Sequence, residues 1–486
     1  MTDRILDRNW LKGYPRFLLR AFIMLGREWP HIFITGGAVR DWLLGRKAGD
    51  LDLTIDGDAV AAARFFAAAT GGAFVPLDEG EGVARVVCGG ITVDFASFRE
   101  KTTDILSDLS CRDFTINAMA TPLDVVSGTL TEPPVVIDPL GGANDLARKV
   151  VRAPGAGVFE SDPLRILRAF RFAAVNNFTV EPSTLDWLTA KKDLLRIPAP
   201  ERIRYELDLI MASERGGATF GDMDAAGLLT LLFPELASGR GMAQPLSHHQ
   251  DVFEHNLATL SHVERVMAAP GRYYPEQRKL LEGYLDQPDI RLALKWAALF
   301  HDVGKPDTCD LKEDNRLTFY NHDQVGAGIW LAIGRRLCWG RRFIDRVALL
   351  IRHHMYPFHL NNSLATTGIT PRACLKLAKT AGKDLSGLFL LAMGDSMAAK
   401  GPNKPAGMEE NLARLFSRVD LEYHRSVRKV LEGPPLVSGD DLIGMGLTPG
   451  PHFGEILDAV EQARVSGEIS DKESAYEFIR RYVGRT

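Results

Sequence analysis

Residues 33–55, FITGGAVRDWLLGRKAGDLDLTI, set two carboxylates two positions apart, shortly after a helix opened by glycines. Few local patterns restrict a chain more. An apolar run at 32–35 empties into Gly36 and Gly37, a helical pattern follows (Val39, Trp42, Leu43), and a second apolar run carries Asp50 and Asp52. Strand side chains alternate with period two, so Asp50 and Asp52 point to one face. Two carboxylates on one face suit a hard divalent cation such as Mg²⁺. Glycines ahead of a helix N-terminus leave backbone N–H groups open to phosphate. The unit therefore reads as a seat for a metal-bound triphosphate.

A chain of 486 residues exceeds one ordinary domain, and roughly two to four are expected. With 45% hydrophobic and 25% charged residues the composition is that of a globular protein. The net charge of −4 supplies no global field for a polyanion, so a nucleic-acid partner must be held by local basic patches. Five scattered cysteines without CxxC spacing exclude a zinc ribbon or disulfide framework and fit a reducing compartment. No leader-like segment and no apolar run near 18 residues occurs, so no membrane is expected and the chain reads as cytoplasmic. Nothing in the sequence fixes an oligomeric state.

The pattern predicts an α+β protein, a small mixed-sheet head followed by helical regions. A helix within the first 30 residues carries Leu18, Phe22 and Leu25 on one stripe. A second helix is expected over 59–70, then strands GAFVPL, VARVVCGG and ITVDFASF. The last sets Asp94 in an apolar strand, where an unpaired charge is costly. Three carboxylates can hold two metal ions roughly 3.5–4 Å apart. From about residue 150 the pattern turns helical. In SDPLRILRAFRFAAV, Ser161 or Asp162 is the expected N-cap and Pro163 the first helical residue. Asp162 and Arg165, three apart, then share one helical face. Prolines 198 and 200 set off PERIRYELDLIM, and 238–247 looks like a linker.

The motifs come in order: GGAVRD with GRxxxDxD, CRDFTINAMA (111–120), IDPLGGANDL (137–146), SDPLRILRAFRFAA (161–174) and ERIRYEL (201–207). Together, over about residues 16–235, they resemble the polymerase-beta-like nucleotidyltransferases, and among these the tRNA CCA-adding enzymes and bacterial poly(A) polymerases. The resemblance implies a template-independent RNA 3′-end nucleotidyltransferase, with Asp50, Asp52 and Asp94 catalytic and binding Mg²⁺. It implies Gly36, Gly37 and Arg40 on the triphosphate, and Arg112, Asp113 and Asn117 positioning the nucleotide. Asp162 and Arg165 would read the Watson–Crick edge of the base, with Arg168 also on the nucleotide. The implied partners are CTP, ATP and a tRNA or other RNA 3′ end. Two positions depart from the pattern: Cys111 stands where an arginine is usual, and Ser161 where a glutamate is usual.

The histidines concentrate between residues 248 and 400. His255 lies in VFEHNLATL, His301-Asp302 closes the apolar run LKWAALFHDVGKP before Gly304, His322 lies in NHDQVGA, His353-His354 in IRHH, and Asp395 in LAMGDSM. This order resembles the HD metal-dependent phosphohydrolases. The resemblance implies His255, His301, Asp302 and Asp395 as metal ligands and Lys305 on a phosphate. Imidazole with carboxylate suits a divalent transition metal better than Mg²⁺. The expected organisation is thus a nucleotidyltransferase head (1–150), a nucleotide- and RNA-binding neck (151–240), an HD domain (241–400) and a helical tail (401–486).

In the tail, GPHFG opening a helix offers N–H groups to a backbone phosphate, or else a plain turn between packing helices. The arginines of 335–352 form a basic RNA face or a solvated helix face. Residues 401–486 are slightly acidic, which favours tRNA addition over poly(A) addition, whose enzymes usually carry a basic extension. CC-only and A-only addition stay open. A reading from another class makes the HD site the working one and the head a binding module. The retained Asp50, Asp52, Asp162 and Arg165 speak against it.

Overall fold

A computed structural model describes residues 13–78, 80–99, 102–123, 135–314, 316–367 and 369–484, with backbone alone at 363–367. It divides into two compact units, Met1–Ile210 and Met211–Thr486. The part of the expected first helix before residue 13 lies outside the described residues.

In the first unit, α1 (Arg16–Glu28) buries Leu18, Ala21, Phe22 and Leu25, the stripe its spacing predicts. Then come β1 (Ile32–Thr35), α2 (Gly37–Leu43), β2 (Asp50–Ile55), α3 (Ala59–Thr70), β3 (Ala73–Asp78), β4 (Val83–Cys88) and β5 (Ile91–Ser97). Local chemistry fixes these boundaries. At the start of α3 the Asp58 carboxylate accepts from Ala61 N at 2.9 Å, and at its end Gly71 takes φ 66°. After α4 (Ile105–Ser110) and a 3₁₀ turn (Thr115–Asn117), β6 (Ala120–Pro122) completes a sheet of order β3-β4-β5-β2-β1-β6. β2 and β5 run parallel; the other neighbours are antiparallel.

Alternation divides the two faces of this sheet. Leu51, Leu53, Ile55, Val93 and Phe95 are buried, and α3 packs on that side, Phe66 standing 5.3 Å from Phe22 and 5.4 Å from Phe95. The opposite face carries Asp50, Asp52 and Asp94.

Next follow α5 (Gly142–Arg148), β7 (Val150–Val151), α6 (Val158–Ser161), α7 (Arg165–Asn176), β8 (Thr179–Val180), α8 (Pro182–Ala190) and α9 (Pro200–Ala212). Here one expectation needs correcting. Asp162 does not share a helical face with Arg165, because α7 starts only at Arg165. Asp162 precedes a proline, which disfavours helical backbone, and it is extended (φ −146°, ψ 101°). The Asp162 carboxylate accepts from Leu164 N at 3.2 Å, and its carbonyl from Arg165 N at 3.0 Å. The helix thus begins later than the cap and proline signals predict, with Leu164 rather than Ser161 or Asp162 as its N-cap and Pro163 outside it.

The second unit is built on the helices Val252–Ala268, Pro288–Phe300, His322–Arg336, Arg341–His353 and Leu385–Ala398. Its core gathers aromatic rings, Trp296 lying 6.0 Å from Trp330 and 5.0 Å from Trp339. It is not wholly helical: Asp310–Leu311 and Leu317–Thr318 pair as a short antiparallel hairpin. Toward the end, the helices Gly439–Gly444, His452–Val465 and Lys472–Val483 enclose a small core of their own around Leu442, Ile456, Val460 and Ile479. GPHFG does open a helix there, though Phe453 N and Gly454 N already bond to Gly450 O and Pro451 O. Arg336 meets Glu235 at 3.0 Å and Arg346 meets Asp384 at 3.2 Å, so part of the 335–352 arginine set is engaged within the unit. Among the described residues no helix is long and apolar enough to cross a membrane.

Candidate functional site

One cavity of about 840 Å³ in the first unit is lined by every head and neck site residue named from the sequence: Gly36, Gly37, Arg40, Asp50, Asp52, Asp94, Arg112, Asp113, Asn117, Asp162, Arg165 and Arg168. Its sheet side is acidic and its helix side is basic.

On the sheet side, Asp52 pairs in register with Asp94 across the parallel β2–β5 ladder. The Asp50 and Asp52 carboxylates receive no hydrogen bond or ion pair from the described residues. Burial pushes the Asp52 carboxyl upward, and the Asp94 and Asp50 charges add to that, against Arg112 and Arg99. Crowded carboxylates short of donors are what an oxygen-ligated divalent cation relieves, so this donor set fits Mg²⁺ chemistry. Asp94 differs. It is gripped through both oxygens by Arg85, with Nε at 2.7 Å and Nη2 at 2.8 Å. The charge that would be costly unpaired has a partner on β4.

Gly36 shows why a glycine stands there. Its φ is +71°, and an added Cβ would lie 3.1 Å from Arg112 and 3.2 Å from the Asp52 carboxylate. Its N–H, expected to be bare, donates to Met119 O at 3.1 Å. The residue just before β6 has taken that donor.

Below this, Arg112 is buried as a brace, donating to Thr35 and Thr54 Oγ1 at 3.0 and 2.9 Å and to Asp108 at 3.2 Å. Burial, with the Arg99 charge behind it, lowers its guanidinium to about 10. The neighbouring Cys111 is only partly buried and forms no disulfide. The CRDFTINA turn is clamped by α5: Asp138 caps Gly142 and Ala143 N–H at 2.7 and 2.9 Å, and Asp145 accepts from Thr115 Oγ1 at 2.7 Å. A Cβ at Gly142 would sit 2.0 Å from Thr115 O. The IDPLGGANDL motif is thus a brace for that turn.

On the helix side a chain of polar contacts runs across the cavity. Arg40 Nη1 donates to Asn117 Oδ1 at 2.8 Å, Asn117 Nδ2 to Asp113 Oδ1 at 3.1 Å, and Arg168 Nη2 to Asp113 Oδ2. Burial opposes charge on Asp113, yet Arg168 and Asn117 outweigh it and hold its carboxyl below the usual range. Arg165 donates to Ser161 Oγ at 3.2 Å and Val158 O at 3.4 Å, so the serine at the departing position contacts the arginine. Asp162 meets Arg202, from ERIRYEL, at 3.9 Å. The sequence reading missed Phe172, whose ring centroid lies 5.5 Å from Arg40, 5.7 Å from Arg168 and 4.3 Å from Arg171. Arg171 is tied in turn to Glu206 at 2.7 Å. The spacing of Arg168, Arg171 and Phe172 on one helix was the available signal.

The second unit brings its named residues together as well. His255 Nε2 lies 3.0 Å from Asp395 and 3.6 Å from Asp302, and His301 Nε2 lies 3.3 Å from Asp302. Lys305 donates to Gln244 at 2.7 Å and lies against Asp302. Gly304 permits this: a Cβ there would meet His322 O at 2.2 Å and Gly326 N at 2.5 Å. Two histidines not named as ligands join them. His322 and His354 approach Asp302 Oδ1 at 3.3 and 3.6 Å and each other, Nε2 to Nε2, at 3.2 Å.

The tautomers follow from the partners. Nδ1 of His301, His322 and His354 contacts the carbonyls of Ala298, Phe319 and Ile351 at 2.9, 2.7 and 2.7 Å. That leaves each Nε2 lone pair for the interior. Buried His301 Nε2 and Asp302 Oδ1 make no hydrogen bond, and the groups His255/His301/Asp302 and Asp302/His322/His354 each converge within 4.8 Å. Burial keeps His255 and His354 toward neutrality; on His301 it is outweighed by Asp302 and Asp395, which favour the charged form. This mixed nitrogen and oxygen donor set fits a transition metal. A pocket of about 660 Å³ with Phe319, Met355 and Phe358 in its walls opens on it.

Comparison with known proteins finds family matches in both units. The Poly A polymerase head domain family matches residues 32–152, the probable RNA and SrmB-binding site of polymerase A matches 177–239, and the HD domain matches 252–383. The A-adding tRNA nucleotidyltransferase of Deinococcus radiodurans is 36% identical over 469 residues, covering 94% of this chain and 96% of that protein. The CC-adding tRNA nucleotidyltransferase of Thermus thermophilus is 30% identical over 454 residues, covering 92% of each. A solved CCA-adding enzyme with CTP shares the fold at a TM-score of 0.68 and 21% identity, with 99% of both chains covered. The chain belongs to the tRNA nucleotidyltransferase family, in the form that joins a poly A polymerase head to an HD domain.

Proposed function

We propose that this protein extends tRNA 3′ ends, transferring CMP, AMP or both from CTP and ATP to the terminal hydroxyl with release of pyrophosphate. The observation that carries the proposal is the single cavity with partner-free carboxylates on one wall and a linked arginine array on the other. Asp50, Asp52 and Asp94 would hold Mg²⁺, which when bound would make the attacking hydroxyl more acidic and neutralise charge on the leaving pyrophosphate. Gly37 and Arg40 face the triphosphate; Asp113 and Asn117 hold Arg40 and Arg168 in place. Asp162 and Arg165 stand where a base edge can be read. The gain comes from positioning and charge complementarity. A tRNA acceptor places the work in the cytoplasm.

The test supplies the full chain with tRNA transcripts ending before the tail, after C and after CC, each with CTP, ATP or both, and sequences the added nucleotides. Addition confined to CC-ended tRNA identifies an A-adding enzyme, and addition of CC alone its counterpart. A long A tract on unrelated RNA identifies a poly(A) polymerase. No addition on any transcript refutes the proposal.

A second activity is favoured by the partnerless Nε2 and carboxylate atoms of the second unit. His255, His301, Asp302 and Asp395 would hold a divalent transition metal for phosphoester hydrolysis, with His322 and His354 extending the donor set around Asp302 and Lys305 on the phosphate. Hydrolysis of bis(p-nitrophenyl) phosphate in Mn²⁺, Co²⁺ or Ni²⁺ tests this. Absence of hydrolysis with all three metals speaks against it.

A further inference from the structure

Arg85 belongs to none of the sequence motifs, yet it stands in line with the acidic wall. It faces Asp94 in the antiparallel β4–β5 register, and Asp94 faces Asp52 in the parallel β5–β2 register. Residues in register on adjacent strands share a face. Guanidinium, carboxylate and carboxylate therefore follow one another across three neighbouring strands. The Arg85 fork takes both Asp94 oxygens, while Asp50 and Asp52 have no such partner among the described residues.

We propose that Arg85 is a positioning residue, a built-in countercharge that holds Asp94 while divalent cations are absent and competes with them for it. It thereby sets the cation concentration at which the head centre loads. The proposal rests on the reading of Asp94 as a metal ligand. Three carboxylates on one sheet face repel one another, and a guanidinium on the outermost offsets that repulsion. A cation arriving at Asp52 and Asp94 must draw Asp94 out of the fork or share its oxygens. Removing Arg85 frees Asp94 and raises the negative potential at the site, and both changes favour the cation. The arginine side chain is 42% exposed, so solvent weakens the pair and the effect is about two- to fivefold in affinity. An ordinary cross-strand pair would behave otherwise: its loss would lower the melting temperature and leave cation affinity unchanged.

The experiment is Mn²⁺ titration of the full chain by electron paramagnetic resonance, without nucleotide. The H301A/D302A background silences the second unit's centre. R85Q is expected to bind Mn²⁺ about two- to fivefold more tightly, R85K, which keeps the charge but loses the fork, to fall between, and D94N to bind more weakly. If D94N weakens binding while R85Q leaves it unchanged or weaker, the Arg85 proposal is overturned and Asp94 stays a ligand. If D94N changes nothing, the ligand reading itself fails. Should R85Q not fold, R85K decides: tighter binding supports the competition and unchanged binding overturns it.

Discussion

The two centres gather acceptor atoms suited to a cation in opposite ways. The head centre is written locally. β2 supplies two carboxylates by its period, β5 a third by register, and the cavity stays open. The second centre draws on helices spread from His255 to Asp395, 140 residues apart in the chain, and buries nearly every donor. The first uses oxygen alone and the second mixes imidazole with carboxylate. An open oxygen site suits substrates that arrive with their own cation and leave with it. A buried nitrogen-rich site suits an ion that stays.

Four changes break or sharpen this contrast. The largest effect is expected from D50A/D52A, which should reduce nucleotide addition by on the order of a thousandfold or more and leave phosphoester hydrolysis unchanged. Steady-state rates of both reactions on one preparation check the separation. The converse is D302N: it should abolish hydrolysis, since Asp302 contacts His301, His322, His354 and Lys305, with tRNA extension retained. Loss of both activities would show that the centres are not independent.

Third come the motif glycines. G142A pushes a methyl against Thr115 O, and G304A against His322 O and Gly326 N. Backbone cannot yield cheaply, so each should cost about 1–3 kcal/mol, read as a lower melting temperature. G142A should impair addition and G304A hydrolysis; effects the other way round would sink the assignment. The smallest effect is expected from S161A, which removes one hydrogen bond to Arg165. A shift of about two- to tenfold in the kcat/KM ratio for CTP over ATP is expected, and an unchanged ratio would free Ser161 of any part in base choice.

The contrast also explains what could be read in the sequence. β1 and α3 were legible to the residue, and α2 and β2 as elements, because period and glycine signals lie within a few positions. The twelve residues named in the head and neck share a cavity, since ordered motifs carried them. The Arg85 fork was not legible, because cross-strand register is set by pairing that no single strand encodes. Asp162 was misplaced because the proline after it outweighed the helical spacing around it. In the second unit His301-Asp302 announced itself by closing an apolar helix, whereas His322 and His354 belonged to the ordered pattern without being named as ligands, because only the fold shows their Nδ1 contacts to Phe319 and Ile351 turning Nε2 inward.

Phe172 packs charges together without adding one. Its ring is approached by Arg40, Arg168 and Arg171, and each of these guanidiniums also meets a carboxylate, Asp41, Asp113 and Glu206 in turn. The electron-rich face accepts each guanidinium without neutralising it. A glutamate in the same place would have set a fourth acid against three bases and turned the cluster net negative, against an incoming polyanion. An aromatic spacer is in this sense a way of crowding charges without changing their sum.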